Sequence, residues 1–210
     1  MEELSALLGI LAALTVGVVS PGPSFVMIAR TAVSASRTEG VAAALGMGVG
    51  GVVFAVAALL GLQGLLLAVP SLYLALKVIG GLYLAYLGVR IWASARQPLA
   101  IAQGEFHAVT TVARSFTLGF TTQVSNPKTA IVYASVFAAF LPASSTLAFN
   151  LAVGVLVLII EAGWYALVAL ALSSERPRSA YLRYKAWVDR AAGGVMVALG
   201  LKLVTSTHRA

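Results

Sequence analysis

The chain has 210 residues, 60% of them hydrophobic and only 10% charged, and its mean hydropathy is +0.95. A soluble domain is about a quarter charged, so this much apolar surface excludes a single small globule and makes the bilayer its solvent. The lack of cysteine excludes disulfides, thiol relays and thiolate metal sites, and the net charge of +7 fits membrane orientation better than nucleic acid.

Segments of about 20 largely apolar residues are long enough to span a bilayer. Six are expected, at Leu4–Ala29, Gly40–Leu62, Pro70–Ala93, Ser115–Leu141, Thr146–Leu172 and Ala186–Val204. The first follows Met1-Glu2-Glu3, acidic where a signal peptide is basic, so it reads as a retained helix. It is interrupted by Ser20-Pro21-Gly22-Pro23-Ser24. A proline lacks a backbone donor, so Pro21 frees the carbonyl of Gly17 and Pro23 that of Val19. Gly22 permits a sharp unwinding, and Ser20 or Ser24 can cap the next turn. The break offers oxygens to a cation and N–H groups to an anion. A kink that serves only packing is the alternative reading of one such break.

The second span carries Ala42, Gly46 and Gly50 on one stripe, with Ala44 and Gly48 beside it. Small residues four apart let helices approach closely in lipid, and no ligand contact is read from them. The same holds for Gly80, Gly81 and Gly88 in the third span and Gly193, Gly194 and Gly200 in the sixth. Lys77 lies near enough to the start of the third span to snorkel, a structural role.

The fourth span holds a polar patch: Thr121, Thr122, Gln123, Ser125, Asn126, Lys128 and Thr129. A lysine at the bilayer centre costs about 2.5–3.5 kcal/mol even on the lenient insertion scale. Asparagine is a favoured helix N-cap and proline a favoured first residue, so Asn126-Pro127 reads as the start of a fresh half-helix. Pro127 leaves the Gln123 carbonyl without its usual donor. The new helix start is the positive end of a dipole, where Lys128 needs compensation, most simply a bound carboxylate.

Glu161 lies near the middle of the fifth span, with Trp164 and Tyr165 one turn on. An intramembrane carboxylate is a functional candidate by default. Three roles are open: counter-ion to Lys128, ligand for a substrate ammonium, or carrier of a coupling proton. A buried structural pair with Lys128 or Lys77 is the alternative. Beyond this span, Glu175 to Lys185 reads as a solvated basic connector on anionic headgroups. Asp189 and Arg190 open the sixth span as an interfacial pair or a gate, and Asp189 is a second proton-coupling candidate.

Ten of the 14 Lys and Arg residues fall on one side of these spans: Arg30, Arg37, Arg90, Arg96, Arg114, Arg176, Arg178, Arg183, Lys185 and Arg190. The positive-inside rule makes that side cytoplasmic and puts both termini outside. Trp92, Tyr181, Tyr184 and Trp187 gather at the same side, as interfacial aromatics do. Three spans per half make the second half insert upside down. Thr15-Val16-Gly17 and Thr117-Leu118-Gly119 echo each other ahead of the two breaks. Matched breaks in two halves point to a transporter's binding site. The expected fold is therefore an all-α integral membrane protein with an inverted 3+3 repeat and discontinuous helices 1 and 4. It forms one transmembrane domain over 1–210, with repeats at about 1–93 and 114–206 and a cytoplasmic linker at about 94–113.

With these residues in place, the chain resembles the LysE/RhtB family of bacterial amino-acid exporters. The resemblance rests on Ser20-Pro21-Gly22-Pro23, Arg30-Thr31-Ala32-Val33-Ser34 with Arg37 and Glu39-Gly40, and Ser125-Asn126-Pro127-Lys128. Gly80-Gly81-Leu82-Tyr83-Leu84, Glu161 and Trp187-Val188-Asp189 extend it over nearly the whole length. It is most similar to the threonine/homoserine efflux branch, and Lys77 departs from the pattern. The resemblance implies export of small amino acids, driven by the proton gradient, across a bacterial inner membrane. Its wider superfamily includes thiol-redox and metal-export relatives, against which the missing cysteines and histidine-free spans argue.

The site expected from all this comprises Ser20, Pro21, Gly22, Pro23, Ser24, Gln123, Ser125, Asn126, Pro127, Lys128 and Glu161. A zwitterionic cargo would place its carboxylate at Asn126–Lys128 and its ammonium on the freed carbonyls of Gly17, Val19 and Gln123, or on Glu161. Thr122, Gln123 or Ser125 would take a side-chain hydroxyl. The expected partners are a small amino acid and the lipid bilayer, with no nucleic acid, cofactor or metal and with a homodimer left open. The rival is an inorganic-cation exporter, against which the fixed charge of Lys128 argues. A membrane-embedded enzyme lacks a base beside a nucleophile in the spans. For a lipid-binding scaffold the buried lysine and glutamate would be a burden.

Overall fold

The computed structural model describes residues 2–20, 22–68, 70–97, 111–142 and 144–206. Among them are eight α-helices and no strand. The expected first span is two helices, α1 (Glu2–Val19) and α2 (Pro23–Ser34), bent by 57° at the Pro-Gly-Pro break. Helices α3 (Arg37–Ala68) and α4 (Pro70–Ser94) complete the first half. The expected fourth span is likewise divided, into α5 (Val112–Val124) and α6 (Pro127–Phe140). Helices α7 (Leu147–Leu172) and α8 (Glu175–Ser206) follow. Side-chain caps start three of them: Thr111 accepts from the Arg114 N–H, Asn126 from Lys128 and Thr146 from Phe149.

Two stretches, Arg37–Gly61 and Leu147–Leu172, are long and apolar enough to cross a membrane alone. Glu3–Val19 and Pro23–Ala32 reach that standard together across their bend. Outward stripes of Leu45, Val49, Val53, Val56 and Leu60 on α3, and of Leu151, Val155 and Ile159 on α7, follow helical spacing and stay exposed. Such a surface suits lipid.

The glycine stripe of α3 does what small residues do. A Cβ at Gly46 would strike the Phe116 carbonyl of α5, and one at Gly119 the Ala43 carbonyl of α3. Gly48 abuts Ala162 of α7 in the same way. On the far side α4 lies along α8, where the Gly88 and Gly193 backbones meet at 2.5 Å from an added Cβ and Gly200 packs on Gly81. One core cluster gathers around Tyr133, Phe137, Ile10 and Val153, and a second around Phe25, Ile28, Met47 and Tyr165.

Three expectations change here. The connector Glu175–Lys185 is helical and continuous with the sixth span as α8. Its proline, Pro177, sits in the first turn, where no intrahelical donor is needed. Lys185 is buried rather than solvated and bonds to Asp189. Gly22 has φ −162°, an extended conformation open to any residue, so its role is not to permit unwinding. The linker centre at 98–110, including His107, lies outside the described residues, as do Pro21, His208 and the Lys77 side chain.

Candidate functional site

The two breaks meet. Helix α1 ends where Pro21 and Pro23 cannot donate, and α6 begins beside it with Asn126 as N-cap and Pro127 first in the helix. Between them lies a cavity walled by Ser20, Gly22, Ser24, Gln123, Asn126 and Lys128, with Glu161 and Tyr165 from α7 and Thr129 and Tyr133 from α6. Its apolar wall is Leu14, Val18 and Val132, so it touches both core clusters. The room it leaves for water centres is about 20 Å³.

Lys128 spans the cavity. Its Nζ donates to the Ser20 carbonyl at 2.6 Å and to the Gly17 carbonyl at 3.2 Å. Gly17 is the carbonyl that Pro21 was expected to free. The Lys128 backbone starts one helix while its ammonium rests at the C-terminal, negative end of another. That contact supplies the compensation the sequence reading assigned to a bound carboxylate. Gly22 gives the crossing side chain room, since a Cβ there would lie 3.1 Å from Lys128 Cδ.

A second set of bonds runs behind it. Asn126 Nδ2 donates to Ser24 Oγ at 2.9 Å, Ser24 Oγ to Gln123 Oε1 at 2.7 Å, and Gln123 Nε2 to Glu161 Oε2 at 3.0 Å. Tyr133 donates to Glu161 Oε1 at 2.9 Å. The chain links α6, α2, α5 and α7, and every member is buried. Glu161 is 2% exposed and accepts on both oxygens. Among the described residues it forms no contact ion pair with Lys128, whose ammonium is held by the two carbonyls. Ser20 Oγ is buried in the cavity wall with no partner.

Of the expected site residues, Ser20, Gly22, Ser24, Gln123, Asn126, Lys128 and Glu161 come together. Pro23, Ser125 and Pro127 are exposed and lie outside the wall, and half-buried Thr122 lies outside it too. They shape the breaks, and successive helical residues point about 100° apart, so neighbours of cavity residues face elsewhere. Neither Ser20 nor Ser24 caps α2, whose N-cap is Gly22. The Gln123 carbonyl is not free, because it accepts the Asn126 N–H at 3.2 Å. The Val19 carbonyl is not one that Lys128 reaches. Asp189 stands outside the cavity, 2.6 Å from Lys185 Nζ, which also reaches the Ala95 carbonyl at 3.4 Å. Arg190 lies over the Trp187 ring instead of pairing with Asp189, because residues four apart share a helix face and adjacent ones do not.

Tyr133 and Gly51 escaped the sequence reading, while Thr129 and Tyr165 were noticed there but not placed in the site. Thr129 and Tyr133 are one turn apart on the face that starts at Asn126, and Tyr165 is one turn beyond Glu161. That spacing was the available signal. Gly51 had none: a Cβ there would lie 2.9 Å from both Glu161 Cγ and the Tyr133 hydroxyl.

The LysE type translocator family model matches residues 15–207, across both breaks and the cavity. The chain belongs to the LysE family. Among its relatives, the threonine efflux protein of Salmonella typhi is 33% identical over 91% of this chain and 93% of its own length. The threonine efflux protein of Escherichia coli K12 is 32% identical over the same shares. The leucine efflux protein of Enterobacter sp. strain 638 is 31% identical over 61% of this LysE-family chain and 60% of its own. No solved structure matches.

Proposed function

We propose that this LysE-family chain exports small zwitterionic amino acids, of the threonine and homoserine kind, from the cytoplasm of a bacterial cell. The observation that carries it is the cavity where the breaks meet, which sets one fixed ammonium, Lys128, and one carboxylate, Glu161, among neutral donors and acceptors. A zwitterion needs one partner of each sign. Two relatives are named for threonine efflux and one for leucine efflux, and both cargoes are zwitterionic amino acids. The cargo carboxylate is assigned to Lys128 and the start of α6, and Glu161 to the coupling proton. As a translocator the chain moves its cargo unchanged rather than catalysing a reaction on it.

The reading includes six spans in an inner membrane, both termini periplasmic, and two inverted repeats that rock about the site. It is supported by the order of the helices, in which a half-helix pair and two long helices occur twice. Counterparts also meet: α3 packs on α7, α4 on α8, and α1 on α6 as α2 does on α5. An inorganic-cation exporter finds no such support. No cluster of three or more His, Cys, Asp or Glu exists among the described residues, and Lys128 occupies the cavity.

The test is efflux of a labelled amino-acid panel and a divalent cation from loaded vesicles, with and without a proton gradient. Threonine or homoserine should leave faster than from protein-free vesicles, and the gradient should quicken it. Release of the cation alone, or of nothing, overturns the proposal.

A further inference from the structure

We propose that the Gly17 and Ser20 carbonyls form a subsite for one primary ammonium group, which Lys128 fills when no cargo is aboard and the cargo's own α-ammonium fills when it is. The inference rests on the exporter reading and deepens it. The Gly17 carbonyl lies in the last turn of α1, where Pro21 cannot donate to it, and the Ser20 carbonyl lies just past that helix, before α2 begins. In hydrocarbon such oxygens need a partner. Lys128 Nζ supplies one at 2.6 and 3.2 Å, the shorter contact being a charge-assisted bond. Beside it the buried Ser20 hydroxyl has no partner, a spare acceptor for the third N–H of an ammonium.

Space argues the same way. Room of about 20 Å³ for water centres holds about one water, so no amino acid enters while Lys128 lies across the cavity. Removed from the carbonyls, Lys128 stands at the positive start of α6 and needs an anion. A zwitterion solves both problems together. Its ammonium satisfies the carbonyls and its carboxylate takes the displaced lysine. A bare amine offers only the first half of that exchange, and a bare carboxylate only the second. The lysine therefore acts as a tethered stand-in for cargo and lets the unloaded carrier reorient with its break satisfied.

The experiment uses the full chain in vesicles loaded with labelled threonine. Net efflux into amino-acid-free buffer is compared with exchange against external threonine, for the wild type and for Lys128→Met. In the variant the unloaded return leaves two buried carbonyls bare, so net efflux should fall about tenfold or more below exchange. An equal fall in both modes overturns the proposal. 1-Amino-2-propanol, which is threonine without its carboxylate, should inhibit exchange by Lys128→Met at about tenfold lower concentration than wild type. Equal inhibition overturns it too. The wild type guards against a variant that does not fold: it should sustain net efflux without external amino acid, and strict exchange in the wild type refutes the stand-in. Failure of the wild type to move amino acid in either mode is a different result and sinks the exporter reading itself.

Discussion

Glu161 and Lys128 were legible as residues because a charge in lipid is costly and so must have a purpose. Their partners were not. Tyr133 in an apolar helix looks like any core aromatic, and only the rotation of α6 against α7 reveals its 2.9 Å bond to Glu161. Tyr133→Phe should leave one buried carboxylate oxygen without its donor, at a cost of about 1–3 kcal/mol. Thermal unfolding in detergent checks this, with a drop of a few degrees expected. Glu161→Gln keeps the shape and removes the charge. Efflux by that variant should lose its acceleration by a proton gradient while cargo exchange persists. Full gradient dependence in the variant would remove Glu161 from the coupling step.

At the scale of the helices, both breaks were readable from chemistry alone, since proline removes a donor and Asn-Pro starts a helix. Where the freed groups go was less readable. Lys128 needed compensation, and the sequence could not show that the end of α1 lies within reach of its side chain. The beginning of α8 was misjudged for a related reason. A run of Arg and Lys reads as solvated, yet Lys185 folds back onto Asp189 one turn away and buries both. The glycine stripe of α3 was understood as packing, but Gly51 also makes room for the Glu161–Tyr133 bond. Gly51→Ala should force those groups apart, costing about 1–3 kcal/mol by overpacking. It should also lower the maximal efflux rate in vesicles more than the protein yield. Gly46→Val meets backbone of α5 that cannot give way, and should depress the melting temperature without any specific effect on gradient coupling.

For the molecule as a whole, two clasps mark the ends of α7. Glu3 of α1 accepts from the Thr146 N–H and hydroxyl at its start, while Arg37 of α3 donates to Ser173 and Ser174 at its finish. The first lies on the side the charge distribution assigns to the periplasm and the second on the cytoplasmic side. A chain without cysteine allows a direct check. Ser144→Cys should react with an impermeant maleimide added outside intact cells, and Arg96→Cys only after permeabilisation. The reverse pattern would invert the topology, and reaction of both from outside would break the six-span count. The contact between Lys128 and two backbone oxygens also bears on energetics. With a resident cation in one leg and a net-neutral guest beside it in the other, the pocket carries the same charge both ways. A membrane voltage exerts about 2.3 kcal/mol per charge per 100 mV, and it would find no difference to act upon there. On that proposal, any sensitivity of export to voltage arises from the coupling proton assigned to Glu161.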